Sequence, residues 1–129
     1  NRKPITFVED NAVPVEHLAA FVRELRAIVE RHGTRASFWA HASVGVLHVR
    51  PLLDIHAAAD RRHMREIAVE AADLARRLGG VMSGEHGDGR ARSALLPLMY
   101  DEESLRLFAA VKAVCDPEGL LNPGVLVDP

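Results

Sequence analysis

The chain has 129 residues, of which 48% are apolar and 26% charged, with a formal net charge of −2. This is the profile of about one globular domain rather than a disordered segment. Balanced charge excludes a general polyanion-binding surface, so nucleic acid is not an expected partner. The single cysteine excludes a disulfide framework, a Cys-ligated iron–sulfur cluster and a Cys-based zinc finger within this chain.

Ile5-Thr6-Phe7-Val8-Glu9 is a β-prone run closed by Asp10-Asn11. Pro14 suits a helix start. Val15, Leu18, Val22, Leu25 and Val29 then repeat at helical spacing until Gly33. Ser37 to Arg50 reads as a hairpin turning at Val44-Gly45. Asp60 to Leu78 is a second amphipathic helix, ended by Gly79-Gly80, and Val81-Met82-Ser83 is a brief strand. Gly84 to Gly89 is a glycine-rich polar loop. Glu102 to Cys115 is a third helix, capped by Asp101.

The expected fold class is therefore α+β. It is a ferredoxin-like βαββαβ antiparallel sheet with two helices on one face, plus a C-terminal helix and tail. A composition break near Arg92 to Tyr100 divides a core, 1–100, from the C-terminal helix and tail, 101–129. No apolar run approaches the roughly 20 residues of a membrane-spanning helix, and the opening residues do not read as a signal peptide. With no initiating methionine, Asn1-Arg2-Lys3 leads us to expect a piece of a longer protein.

The hairpin supplies the first chemistry. A two-residue turn at Val44-Gly45 pairs His41 with His48 and Trp39 with Arg50, placing all four on one face. Phe38, Ala40, Leu47 and Val49 fall on the other, for the helices to cover. Two convergent imidazoles suit a divalent metal, or they are strand histidines with ordinary hydrogen bonds. Ser83-Gly84-Glu85-His86-Gly87-Asp88-Gly89-Arg90 gathers acids, a base and a cation among glycines. Glu85 can complete a two-His, one-carboxylate set, with His86 adjacent, pointing elsewhere and free to accept a proton. The competing reading is a polar turn that binds an anion at its backbone N–H groups. His17, His32, His56 and His63 sit on or beside helices among charged neighbours and read as solvated. Arg50, Arg90 and Arg92 can fork onto a substrate carboxylate, Arg92 also suiting a structural salt bridge.

Three segments carry a resemblance. They are Ala40-His41-Ala42-Ser43-Val44-Gly45-Val46-Leu47-His48-Val49-Arg50-Pro51, Ser83-Gly84-Glu85-His86-Gly87-Asp88-Gly89, and Cys115-Asp116-Pro117-Glu118-Gly119-Leu120-Leu121-Asn122-Pro123-Gly124. Together with Val8-Glu9-Asp10-Asn11-Ala12-Val13-Pro14, they resemble the C-terminal domain of FAD-linked oxidases. That family includes D-lactate dehydrogenases, the glycolate oxidase FAD subunit and D-2-hydroxyglutarate dehydrogenase. Ser43 and Val44 stand where many lactate-type members carry Gly-Asp, and the loop looks most like that of long members fused to an iron–sulfur portion.

The resemblance implies a cap domain that holds a small 2-hydroxy acid beside FAD. The flavin itself would be bound mainly by an N-terminal domain of the same parent. It also implies a divalent metal (Zn, Mn or Fe) on His41, His48 and Glu85, with His86 as catalytic base. Arg50 would assist the substrate carboxylate, and Asn122 would lie in the tail that returns to the flavin domain. Further expectations are an iron–sulfur electron acceptor, homo-oligomers, and a cytoplasmic location, at most peripheral to the inner membrane face through partners. The fragment alone is expected to be inactive. Two other readings stay open: a non-catalytic metal- or anion-binding ferredoxin-like module, and a small metal-dependent hydrolase.

Overall fold

The structure, a computed structural model, describes residues 2–129. Its regular elements are β1 (Lys3–Pro4), β2 (Asn11–Ala12), α1 (Leu18–Arg31), β3 (Ala36–His41), β4 (Val46–Leu53), α2 (Ala58–Arg77), α3 (Gly89–Arg92), α4 (Leu96–Met99) and α5 (Glu102–Cys115). They fall into two compact units, the first ending at His86 and the second running Gly87–Pro129.

The first unit is built around β4. Along one edge β4 pairs antiparallel with β3, and along the other with β1 and β2. Ala12 in turn forms an antiparallel bridge with Val81. With β1 and β2 taken as halves of one strand, the spatial order is fourth, first, third, second. That is the arrangement expected of two interleaved βαβ units.

Odd-numbered residues of β4 face the helices, and Leu47, Val49 and Leu53 are buried there. They meet Phe21, Leu25, Ile28 and Val29 of α1 and Ile67, Ala71, Leu74 and Ala75 of α2. Full burial of each large side chain contributes about 2 kcal/mol relative to exposure. Both helices end at left-handed glycines, Gly33 (φ 66) and Gly79 (φ 75), where a Cβ would be strained.

Several details depart from the sequence reading. The buried stripe of α1 centres on Phe21, Leu25 and Ile28, and Val15 is half exposed. The expected strand 5–9 is instead an irregular link between β1 and β2. It buries both Phe7 and Val8, which a flat strand would point to opposite faces. At its end Asp10 takes φ 85, a left-handed conformation that Asp tolerates better than most residues. Of the expected strand 81–83, only Val81 is paired. The stretch around 92–100 holds α3, α4 and a 3-10 turn at Ser93–Leu95.

The hairpin register is also corrected. Trp39 pairs with His48, His41 with Val46 and Ser37 with Arg50. The cause is the connection: Ala42–Val44 form a 3-10 turn and Gly45 closes it at φ 72. A Cβ on Gly45 would lie 1.9 Å from the Val13 carbonyl oxygen. Because the offset is two residues, side-chain alternation is preserved. Trp39, His41, His48 and Arg50 still share a face, whereas Ala40, expected under the helices, is exposed.

Candidate active site

Asp10 assembles the loop that follows Val81. Its carboxylate, fully buried, accepts hydrogen bonds from the Ser83 hydroxyl (2.5 Å), the Glu85 amide (3.1 Å) and the His86 amide (2.8 Å). Its own carbonyl accepts from the Gly84 amide (2.8 Å). Burial pushes the Asp10 carboxyl up, but the Ser83 hydroxyl and the His86 and Glu85 amides outweigh it and hold it below the usual carboxylate range. Asn11 adds a bond from its side-chain amide to the Met82 carbonyl (2.9 Å). Gly84 lies so close to β2 that a Cβ there would sit 2.9 Å from the Ala12 Cβ and 3.0 Å from Val46 Cγ2. The loop is therefore pinned directly beside the polar face of the hairpin.

That placement brings four predicted site residues together. One oxygen of Glu85, Oε1, has three imidazole nitrogens around it: His48 Nε2 at 3.2 Å, His41 Nε2 at 3.4 Å and His86 Nε2 at 3.5 Å. The His41 and His48 rings meet edge-on at 5.1 Å, while His48 and His86 stack at 5.3 Å. His48 is buried, stacked on its other neighbour Trp39 at 5.8 Å. His41, Glu85 and His86 are about half exposed, so the cluster opens to solvent on their side. His86 does not point away from the other two histidines; it turns toward the same oxygen.

Glu9 is the member that sequence reasoning missed. Its Oε1 lies 3.5 Å from His86 Nδ1, and its Oε2 accepts a hydrogen bond from Arg50 Nε. The Arg50 hydrogen bond, opposed by burial, holds the Glu9 carboxyl below its usual range. Arg50 also lies over the Trp39 ring, 4.5 Å from its centroid. An acid beside another acid in a short apolar run looks solvated in sequence; only the motif Val8-Glu9-Asp10-Asn11 hinted otherwise.

Ligand atoms of Asp10, His48, Glu85 and His86 lie within 4.8 Å of one another. Both Asp10 oxygens are already taken up by loop donors, which leaves His48, His86 and the Glu85 carboxylate as the donor set of that group; the expected ligand His41 is not among them, although its Nε2 reaches Glu85 Oε1. Imidazole with carboxylate fits a divalent first-row metal. Asn122 lies in the second unit, exposed and at φ 45. Arg92 is buried in that unit, its Nη2 donating to the Gly87 carbonyl.

Residues 1–126 match the family model described as FAD linked oxidases, C-terminal domain. The chain belongs to this family. It is 42% identical over 127 residues to a D-2-hydroxyglutarate dehydrogenase of Pantoea ananatis, covering 98% of this chain and 12% of that protein. It is 32% identical to a D-lactate dehydrogenase of Archaeoglobus fulgidus, covering 98% of this chain and 28% of that one. With glycolate oxidase subunit GlcD of Bacillus subtilis the identity is 31%, over 95% of this chain and 26% of the relative. The FAD-linked oxidase domain thus spans a minor part of each curated relative. No helix among its described residues is long and apolar enough to cross a membrane.

Proposed function

We propose that this chain is the substrate-side part of a longer FAD-linked dehydrogenase of small 2-hydroxy acids. In this reading His41, His48 and Glu85 hold a divalent metal, and His86 takes the proton of the substrate hydroxyl. The observation that carries it is the meeting of three imidazole nitrogens at one carboxylate oxygen, at 3.2, 3.4 and 3.5 Å. The relatives support the substrate class: they are named for D-2-hydroxyglutarate, glycolate and D-lactate.

When bound, the metal supplies a Lewis acid that lowers the pKa of a neighbouring hydroxyl, and FAD supplies the acceptor for a hydride. The chain's own residues do the remaining work. Glu9 faces Nδ1 of His86 and steadies that edge of the ring, so that Nε2 is turned toward the Glu85 oxygen. Trp39 and Glu9 immobilise Arg50 from its face and from Nε. A guanidinium carries further N–H donors, and these suit the carboxylate of a 2-hydroxy acid. Buried His48 backs the cluster, and the half-exposed His41, Glu85 and His86 are its solvent-facing members.

Exposed apolar residues on α5 and the tail support packing against an FAD-binding domain of the same parent, and Asn122 is exposed in the same tail. The small share of the D-2-hydroxyglutarate dehydrogenases that this chain spans supports a long parent; an iron–sulfur portion as its electron acceptor belongs to the same proposal and rests on the resemblance of the hairpin loop. The test is His86→Ala in the full-length parent. FAD stays bound, while flavin bleaching by D-2-hydroxyglutarate, glycolate or D-lactate slows about 10²–10⁴-fold. Bleaching at the native rate would overturn the base assignment.

A further inference from the structure

A second set of histidines and carboxylates lies outside the loop cluster, where the end of α1 meets α2. His32 caps α1, its amide donating to the Ile28 carbonyl at 3.4 Å, and its ring is mostly buried. From α2, His63, Glu66 and Glu70 are spaced three and four residues apart and share one face. His32 Nε2 lies 2.7 Å from Glu70 Oε1, and the other Glu70 oxygen accepts from Arg31 at 2.5 Å. His32 Nδ1 lies 3.3 Å from Glu66 Oε2. The His32 and His63 rings are 5.4 Å apart. One ligand atom from each of His32, His63 and Glu66 lies within 4.8 Å of the others.

The 2.7 Å contact with Glu70, whose other oxygen accepts from Arg31, fixes the His32 ring so that Nδ1 faces the Glu66 carboxylate at 3.3 Å, a separation at which one cation can be held by both. His63 Nδ1 is buried without a hydrogen-bond partner. The nearest carboxylate oxygen, Asp60 Oδ1, is 4.0 Å away, and Asp60 is already engaged by Arg2 and the Asp54 amide.

We propose that His32, His63 and Glu66 form a binding site for a divalent transition metal such as zinc. Glu70 orients the His32 ring in the carboxylate–histidine–metal manner. Two imidazoles and one carboxylate leave a coordination position for water. The ion ties the end of α1 to α2, which makes it a clamp between the helices that cover the sheet.

The test is cobalt(II) and zinc titration of the 129-residue chain carrying His48→Ala and Glu85→Gln, which disable the loop cluster. The expected result is one remaining equivalent of bound metal, together with a metal-dependent rise in Tm. Adding His63→Ala abolishes both. Adding the exposed Glu66→Gln instead, which tests the site without opening the helix packing, weakens binding at least tenfold. Glu70→Gln keeps the stoichiometry and weakens affinity about 10–100-fold. Absence of the equivalent in the loop-disabled chain, or its survival undiminished with Glu66→Gln, overturns the site. Neither result touches the proposed function, because the loop cluster is disabled throughout.

Discussion

The two units use the same device on different foundations. In the first, the Asp10 carboxylate gathers the Ser83 hydroxyl and the Glu85 and His86 amides. In the second, the Asp116 carboxylate gathers the Leu120 and Leu121 amides and the Lys112 ammonium. Asp10 stands on a core in which Phe21, Leu25, Ile67 and Leu74 are fully buried. Around Asp116, α5 buries none of its residues, and Leu107, Val111, Val114, Leu120 and Leu121 are exposed. The same clamp orders a cluster of histidines and a glutamate where a large core backs it, and it orders a tail with an exposed apolar surface where none does. Tyr100, Phe108 and Val111 line an apolar recess of about 460 Å³ on that surface.

The largest expected effect tests this contrast directly. Leu25→Ala costs about 2–5 kcal/mol in urea denaturation of the chain, while Val111→Ala, at 64% exposure, stays within about 0.5 kcal/mol. Equal losses would erase the distinction between the units.

A smaller effect comes from Asp10→Asn, which costs about 1–3 kcal/mol at pH 7 by weakening the acceptor for three donors. Its pH dependence has a definite sign. The folded Asp10 carboxyl is held below its ordinary value of 3.8, so its stabilisation is complete above that value. It is lost as pH falls through the lower folded pKa. The gap between native and Asp10→Asn proteins therefore narrows in urea melts moved from pH 7 toward pH 3, and a constant gap would show that the carboxylate charge is irrelevant.

The smallest effect is expected from Asp116→Asn. It leaves the urea midpoint of the first unit unchanged and speeds amide exchange at Leu120 and Leu121 alone. Faster exchange spreading to Leu25 or Leu74 would show that the second clamp supports the first core.

Much of this was readable from the chain. Gly33 and Gly79 marked the helix ends, and Asp101 caps α5 by accepting from the Ser104 amide at 2.8 Å. Side-chain alternation in the hairpin placed His41 and His48 on one face with Trp39 and Arg50, and it survived a wrong register because the error was an even number of residues. The 3-10 turn at Ala42–Val44 could not be read, since Ala-Ser-Val carries no turn signature of its own. Asp10 and Glu9 were hidden for another reason. Their partners Ser83, Glu85 and His86 lie more than seventy residues away, and local patterns report only near neighbours. His32 and His63 read as solvated for the same cause, their pairing existing only where two helices cross.

The tight seat of Gly84 against Ala12 and Val46 has an outcome for how this domain can diversify. Main chain, rather than the histidine and glutamate side chains, sets the separation between hairpin and loop. Exchanging Glu85 for a shorter acid, or His41 for a sulfur donor, changes the chemistry of the cluster on an unchanged chassis. Even one added methyl at position 84 would push Glu85 and His86 together away from the hairpin histidines.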